Sequence, residues 1–347
     1  MIRTYLDHNA TAPLRSCARD AMIAAMGVIG NPSSVHGEGR AAKGIIEKAR
    51  QQVAAAVGCH ADEVIFTSGA SEAAALALAG RDLSCAGVEH DCVQVWADPT
   101  LPVDANGRIE ITDPSLSAVQ LANSETGILQ ELPQGLALVD AVQAVGRVPW
   151  SFAWSGAQMA LLSAHKFGGP KGVGALIVKR GLDVAAQLRG GGQEMGRRAG
   201  TENVIGIAGM GAAAQAAAQD QSDGTWDRIA TLRDFMEEAI AAASKETIFV
   251  GKGAARLPNT SNFITPNWKG ETQVMNMDLA GFSVSAGSAC SSGKVKASKV
   301  LLAMGFDEMQ ASSAIRVSLG PQTTKDEVEQ FATAWERTYK RHAQRAA

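Results

Sequence analysis

A histidine–lysine pair, His165 and Lys166, stands between an apolar run and a glycine-rich stretch in LLSAHKFGGPKGVGALIV, residues 161–178. The apolar run predicts a buried strand that would carry the lysine at its carboxyl end. A partly desolvated lysine amine can form a Schiff base with an aldehyde. Gly168 and Gly169 would keep bulky side chains away from a ligand bound there. The pair therefore indicates covalent amine chemistry at a strand end.

Other polar residues stand at the ends of predicted strands. Ser71 follows TSGA, Asp140 and Gln143 lie in VDAVQ, and Ser163 precedes the histidine–lysine pair. In an open α/β sheet, ligands bind beyond the carboxyl ends of the strands, so these side chains are expected to converge.

Pyridoxal phosphate is a cofactor that uses this set of groups. Its enzymes pair the Schiff-base lysine with an acidic residue on the pyridinium nitrogen, and Asp140 is the candidate acid. The phosphate would bind Ser71 and backbone N–H groups where a helix begins. Nucleotide loops do not fit, because FGGPKGVGALI lacks GK[ST] and Met195 stands where GxGxxG needs its last glycine.

The elements that would position these residues alternate between amphipathic helices and short apolar strands, which is typical of an α/β fold with a mostly parallel sheet. On one helix, Ile45, Ala49, Val53 and Val57 are expected to share the buried face. Thr324-x-x-Glu327 has capping-box spacing. The predicted strands are 63–68, 118–123, 136–141, 159–164 and 173–179, with an Asn-Gly hairpin in 103–111, and the predicted helices are 41–58, 71–80, 204–218 and 226–243.

Composition excludes several classes of function. The net charge of −3 over 347 residues does not indicate a surface that binds nucleic acid or an anionic membrane. No run approaches the roughly 18 to 20 apolar residues of a membrane span, and the opening MIRTYLDHNATAPL lacks the apolar core of a signal peptide. The five cysteines are scattered without a CxxC pair, so no metal site is predicted. We expect a cytoplasmic protein in a reducing compartment.

Nine ordered motifs resemble those of NifS/IscS-type cysteine desulfurases, within the class V aminotransferases. The similarity runs from residue 5 to about residue 325. The motifs are YLDHNATAP, GNPSSVHGEGR, FTSGASEA, ANSETGILQ, VDAVQAVG, SAHKFGGPKGVGAL, GGGQEMGRRAGTENV, SAGSACSSG and AIRVSLG.

The resemblance implies a fold type I enzyme dependent on pyridoxal 5'-phosphate, with a mostly parallel central sheet flanked by helices and a smaller α+β C-terminal domain. Such enzymes, usually homodimers, convert L-cysteine to L-alanine and leave a persulfide on an active-site cysteine. The sulfur would pass to an acceptor protein, such as an iron–sulfur scaffold, for assembly of iron–sulfur clusters or other sulfur-containing cofactors. The predicted elements become shorter from about residue 250. We therefore predict a large cofactor-binding domain over 15–250 and a small domain, built from 1–14 and 251–347, that carries the cysteine loop.

Roles carried over by position follow from the same resemblance. Lys166 would be the Schiff-base lysine, Cys290 would accept the sulfur, and His90 would stack on the cofactor ring and move protons. Arg316 and Asn123 would bind the substrate. The other cofactor-binding residues would be Ala70, Ser71, Ser124, Asp140, Gln143, Ser163, His165 and, from the neighbouring subunit, Thr201. Cys17, Cys59, Cys85 and Cys92 are expected to be core thiols.

The chain departs from the family pattern at a few places. Ser124 replaces the second asparagine of the usual Asn-Asn-Glu, which bears on cofactor tuning and substrate affinity. Met195 stands where an arginine is common, and the stretch between His90 and Asn123 is short, which bears on acceptor docking.

Three alternative functions remain open. A selenocysteine lyase would share the fold and the cofactor. Another class V lyase or aminotransferase would not need Cys290. A catalytically silent scaffold for iron–sulfur assembly partners would need no chemistry at all.

Overall fold

The computed structural model describes residues 3–286 and 297–346. Within those ranges no helix is both long and apolar enough to cross a membrane. The helices there are α1 (Ser16–Met26), α2 (Gly37–Val57), α3 (Ala70–Leu78), α4 (Asp91–Gln94), α5 (Phe152–Ser155), α6 (Val204–Ser222), α7 (Thr225–Ala243), α8 (Gly270–Leu279), α9 (Lys299–Ala303), α10 (Glu308–Ser312) and α11 (Lys325–Ala346). The strands are β1 (Thr4–Tyr5), β2 (Val64–Thr67), β3 (Ser84–Ala86), β4 (Asp98–Leu101), β5 (Ala118–Gln120), β6 (Leu138–Asp140), β7 (Met159–Ser163), β8 (Gly174–Val178), β9 (Ile248–Phe249), β10 (Thr260–Ile264), β11 (Phe282–Ser283), β12 (Ser285–Ala286) and β13 (Ala314–Ser318).

The central sheet has five strands in the order β2-β8-β7-β6-β5. Strands β5, β6 and β7 are parallel, whereas β8 runs antiparallel to both of its neighbours. A parallel bridge between Ser84 and Ser117 places the parallel β3-β4 pair beyond β5. The predicted α/β fold with a mostly parallel sheet is confirmed.

Alternate residues of the central strands are buried in two separate cores, one on each face of the sheet. On β7, Ala160 and Leu162 belong to the core that includes residues of α2 and α6. Met159 and Leu161 belong to the core that includes residues of α3. Strands covered on both faces are apolar throughout, and this is why the site residues stand at their polar ends.

Most predicted elements are present, with shifted ends. The predicted buried face of α2 is wrong at one position, because Ile46 is buried and Ile45 is only partly buried. The face is rotated towards Arg50, whose guanidinium makes two 2.8 Å hydrogen bonds to the buried carboxylate of Glu194. Helix α2 also begins earlier than predicted, because His36 Nδ1 caps it.

Two local predictions are confirmed. In the predicted hairpin, Val103 and Ile109 form an antiparallel bridge. At the start of α11, Glu327 Oε2 accepts a hydrogen bond from the N–H of Thr324 at 2.8 Å, and the Glu327 N–H donates to Thr324 Oγ1 at 3.3 Å.

A second sheet is antiparallel, in the order β12-β13-β10-β9. It packs in a third core with residues of α7, α8 and α11, where the ring centroids of Phe263 and Trp335 lie 5.8 Å apart. Strand β13 of this sheet carries Arg316, which pairs in register with Asn262 and Ser285. The division into domains at residues 15 and 250 stays a prediction.

Candidate active site

A cavity of about 540 Å³ opens where strands β6 and β7 end and helix α3 begins. Parallel strands end at the same edge of a sheet, so residues far apart in sequence meet there. Nine predicted site residues line this cavity, namely Ala70, Ser71, His90, Ser124, Asp140, Gln143, Ser163, His165 and Lys166.

Asp140 is the last residue of β6, and it lines the cavity. Its Oδ1 accepts a hydrogen bond from the N–H of Val142 at 2.9 Å. Burial raises the pKa of this carboxyl, and the Val142 N–H with the charges of His90 and Lys166 lowers it in part. A cationic group bound in the cavity would therefore stabilise the ionised carboxylate.

Ala70 and Ser71, at the N-terminus of helix α3, form one end of the cavity. Among the described residues no side chain caps this terminus, so its first N–H groups can bind an anion. His165 also lines the cavity, and its Nδ1 lies 3.2 Å from Thr11 Oγ1. Burial, with help from two nearby lysines, lowers the pKa of His165 to about 4. The imidazole is therefore neutral near pH 7, and it can donate to an anion without adding charge.

Lys166 ends a short 3-10 turn, Ala164–Lys166, that directly follows β7. Its Nζ donates hydrogen bonds to the backbone oxygen of Asn9 at 2.7 Å and to that of Ala10 at 3.0 Å. The segment after β1 therefore holds the amine at the cavity.

His90 is the N-cap residue of helix α4. Its Nδ1 accepts a hydrogen bond from the N–H of Cys92 at 3.1 Å. A ring nitrogen that accepts carries no proton, so the proton of the neutral imidazole lies on Nε2. His90 can therefore donate a proton from Nε2.

Three residues without a predicted role lie near the cavity wall. Asn9 and Arg147 are buried and hydrogen-bonded to each other, with Arg147 Nη1 2.8 Å from Asn9 Oδ1. Glu89 is buried beside His90, and burial raises the pKa of Glu89 well above its usual value. Asn9 belongs to the motif YLDHNATAP, which was the one sequence signal available for it.

Asn123 is buried and does not line the cavity. Its Nδ2 donates to the backbone oxygen of Val88 at 3.0 Å. Its Oδ1 accepts from the N–H groups of Glu125 and Thr126 at 2.9 and 2.8 Å. Both ends of the amide thus shape the loop that presents Ser124, and the substrate-binding role of Asn123 stays a prediction.

Arg316 lies behind Ser124 and does not line the cavity itself. Its Nη1 donates to the backbone oxygen of Ser124 at 3.0 Å, and its Nη2 pairs with Asp7 Oδ1 at 2.7 Å. Its Nε is buried and has no hydrogen-bond partner in the described ranges. Such an unused donor is uncommon in a folded protein and fits a site for an anion.

Two predicted residues remain. Thr201 is exposed and lines a neighbouring cavity of about 220 Å³, which shares Ser68 and Gly172 with the first. Its predicted contact crosses to another subunit and stays a prediction. Cys290 lies outside the described residues.

The prediction of four core thiols is wrong for Cys17, which is exposed. Helix α1 buries only its alanines at 18 and 25, so its neighbouring positions face outwards. Cys85 is buried, and Cys59 and Cys92 are partly buried. Burial raises the pKa of the Cys59 and Cys85 thiols to about 12, so both are poor nucleophiles.

A family model described as Aminotransferase class-V matches residues 4–95 and 100–331. The chain belongs to this family. The break after residue 95 falls within the stretch that the sequence indicated to be short. The match agrees with the cavity, where the lysine and the acidic residue lie at neighbouring strand ends.

Relatives within the family narrow the comparison. A cysteine desulfurase from Cereibacter sphaeroides is 39% identical, over 95% of this chain and 94% of its own length. Cysteine desulfurase IscS from Dictyoglomus turgidum is 36% identical, over 93% and 91%. The X-ray structure of a NifS-like protein from Rickettsia africae ESF-5 has a TM-score of 0.87 at 30% identity, covering 97% of this chain and 99% of that one. The resemblance to NifS/IscS-type desulfurases is confirmed, and this class-V chain is an enzyme.

Proposed function

We propose that this class-V enzyme is a pyridoxal 5'-phosphate-dependent cysteine desulfurase. It converts L-cysteine to L-alanine and transfers the sulfur to Cys290. The observation that carries the proposal is that Lys166, Asp140 and His90 line one cavity together with an uncapped helix N-terminus.

The described residues fit pyridoxal phosphate. The start of α3 and the neutral His165 would hold its phosphate, and Asp140, whose carboxyl pKa is raised by burial, would face its ring nitrogen. Gln143 would reach its phenolic oxygen, and Lys166 would bind its aldehyde carbon. When bound, the cofactor withdraws electrons from the substrate's Cα and weakens the bonds there.

Two groups of this chain would move protons. Lys166 Nζ would remove the proton from the substrate's Cα and later return one. His90 Nε2 would donate a proton within the cavity, because Nδ1 is occupied by the Cys92 N–H.

The sulfur transfer balances without an added oxidant. The thiolate of Cys290 would attack the substrate sulfur, so that a sulfur–sulfur bond forms as the carbon–sulfur bond of the substrate breaks. Protonation of the remaining three-carbon fragment gives alanine, and the protein keeps a persulfide. A free thiol is only a few per cent ionised at neutral pH, so a base must deprotonate Cys290 on approach. A basic group of the substrate is the candidate, because His90 Nε2 already carries the proton of its imidazole.

Arg316 would bind the substrate carboxylate. Its buried Nε has no hydrogen-bond partner in the described ranges, and its Nη1 already holds the wall residue Ser124. Ser124 has a shorter side chain than the asparagine usual in the family, so the substrate would depend more on the arginine.

The partners we propose are L-cysteine, a sulfur-acceptor protein such as an iron–sulfur scaffold, and a second copy of this chain. In the dimer, Thr201 would contribute to the phosphate site of the neighbouring subunit. We propose that the enzyme works in the cytoplasm.

The deciding experiment mixes the purified chain, loaded with cofactor, with L-cysteine and a thiol reductant, and measures alanine and sulfide. Equal amounts of both support a desulfurase. Faster turnover of selenocysteine than of cysteine would favour the lyase alternative. A chain that takes up no cofactor during loading and releases neither product would instead be a scaffold.

A further inference from the structure

Arg147 is a buried arginine that lies directly behind Lys166. It is 5% exposed, and its Nη2 donates to the backbone oxygen of Lys166 at 2.9 Å. Its Nη1 donates to Asn9 Oδ1 and to Gln143 Oε1, both at 2.8 Å. One guanidinium thus joins three residues at the cavity wall.

No carboxylate pairs with this guanidinium in the part of the chain that the structure describes. Burial lowers the pKa of Arg147 to about 9, and the charge of Arg316 adds to this effect. Burying a cation against uncharged oxygens costs stability. Residues that carry such a cost cluster at functional sites, where the arrangement serves the chemistry.

The guanidinium and the backbone oxygen of Asn9 together determine how the amide of Gln143 is turned. An arginine can only donate, so the Gln143 atom that faces it must be Oε1. Nε2 is therefore on the other side, where it donates one N–H to the backbone oxygen of Asn9 at 3.0 Å. The second N–H of Nε2 remains for a ligand in the cavity, which Gln143 lines.

The same guanidinium holds Lys166 at both ends. It binds the backbone oxygen of Lys166 directly. It also binds the side chain of Asn9, whose backbone oxygen accepts from Lys166 Nζ at 2.7 Å. The amine and the amide donor are thus fixed relative to each other through one cation.

We propose that Arg147 is a positioning residue that keeps Gln143 Nε2 turned towards the cofactor's phenolic oxygen and holds Lys166 over the same cavity. The inference rests on the proposed function, since it assumes that pyridoxal phosphate occupies the cavity. Without the guanidinium, the amide can turn round and place an oxygen against an oxygen. A donor stabilises a phenolate, so its loss disfavours the anionic form of the chromophore.

The test compares three variants of the full chain loaded with cofactor, Arg147→Ala, Arg147→Met and Arg233→Ala; neither alanine nor methionine can donate to Gln143 Oε1. Arg233 is the matched control, because it is 9% exposed and its Nη1 donates to the backbone oxygen of Leu257, away from the cavity. When the absorbance of the bound cofactor is titrated with pH, the midpoint should rise by about one pH unit in both Arg147 variants. With cysteine, kcat should fall about 100-fold with a smaller change in KM. Arg233→Ala should match the wild type in both measurements.

Chemical rescue supplies a readout that a purely structural role would not give. Arg147 also lines a rear cavity of about 290 Å³ on its far side, so guanidinium ion can reach the space left by Arg147→Ala. Millimolar guanidinium should return the absorbance midpoint towards the wild-type value and restore part of kcat. It should change neither quantity in Arg233→Ala.

An unchanged midpoint and kcat in Arg147→Ala would overturn the proposal. If circular dichroism finds that variant unfolded, the titration of Arg147→Met decides, and a wild-type midpoint there overturns the proposal equally. The two proposals can also fail separately. If the wild type forms no alanine from cysteine while Arg147→Ala still shifts the midpoint, the role of Arg147 is supported and the desulfurase function is refuted.

Discussion

The guanidinium of Arg316 forms an ion pair with the carboxylate of Asp7, with Nη2 and Oδ1 2.7 Å apart. Both side chains are largely buried, at 7% and 16% exposure. Asp7 Oδ2 also accepts from Ser285 Oγ at 2.8 Å. The arginine proposed to bind the substrate therefore already has a carboxylate partner, and the substrate must share its donors with Asp7.

Asp7→Asn is expected to lower the free energy of unfolding by about 3 kcal/mol, because it leaves a buried arginine unpaired. Asp278→Asn is the control, because it removes the partner of Arg3 in an exposed pair with side chains 52% and 58% exposed. That change should cost less than about 1 kcal/mol. Urea unfolding measures both, and equal losses would contradict the prediction.

Lys166→Ala is expected to abolish the pyridoxyl adduct that borohydride reduction leaves on the protein, because this amine is held at the cavity by Asn9 and Ala10. Lys171 also lines the cavity, so Lys171→Ala is the control and should keep the adduct. Mass spectrometry of the digested protein locates it. An adduct on Lys171 in the wild type would refute the assignment.

Asp140→Asn is expected to stabilise the cofactor-free chain at pH 7 and to weaken cofactor binding. Burial raises the pKa of Asp140 above the unfolded-state value, so the unfolded chain loses this proton first as the pH rises. The stability that the protonated carboxyl contributes is therefore lost as the pH rises from the unfolded-state pKa to the folded-state pKa of Asp140. The asparagine variant does not titrate, so its advantage should appear as the pH rises above 3.8, the usual aspartate value.

Thermal unfolding from pH 4 to pH 8 measures this difference. Asp183→Asn is the control, because Asp183 is exposed and its Oδ1 also accepts from a backbone N–H, that of Val184 at 3.0 Å. Its pH dependence should match that of the wild type. A gap between Asp140→Asn and the wild type that stays constant with pH would exclude burial as the cause.

Cys290→Ala is expected to bind cofactor, to change its absorbance with cysteine, and to form almost no alanine. The early steps need no protein thiol, whereas the proposed sulfur transfer needs a nucleophile. Cys290→Ser should fail as well, since a hydroxyl is too weak an acid to supply the attacking anion. Alanine formation at the wild-type rate in Cys290→Ala would contradict sulfur transfer to Cys290, whereas pyruvate with sulfide would point to a β-elimination lyase.

Iodoacetamide should inactivate the enzyme through Cys290. Cys17 is exposed and is expected to react too, so Cys17→Ser is the background for this measurement. Cys59 and Cys85 should react slowly, because burial raises their thiol pKa values to about 12. Loss of activity that does not follow modification of Cys290 would contradict the mechanism.

The sequence by itself determined the strand ends that carry the site. Strands buried on both faces read as apolar runs, so the polar residues that interrupt them, such as Asp140, Ser163 and Lys166, mark the edge where a ligand binds. The order of the motifs determined the family and the cofactor to expect. Local periodicity was less reliable at one position of α2, where Ile46 rather than Ile45 is buried.

Only the tertiary structure decided how those residues are held. Arg147 and Asn9 are 138 positions apart, and Arg316 and Asp7 are 309 apart. Hydrogen bonds of this kind depend on how the chain segments pack, and no local pattern in the sequence encodes which donor meets which acceptor. The type of a residue indicates the chemistry it can do, but a buried arginine becomes a positioning group only when the fold surrounds it with uncharged oxygens.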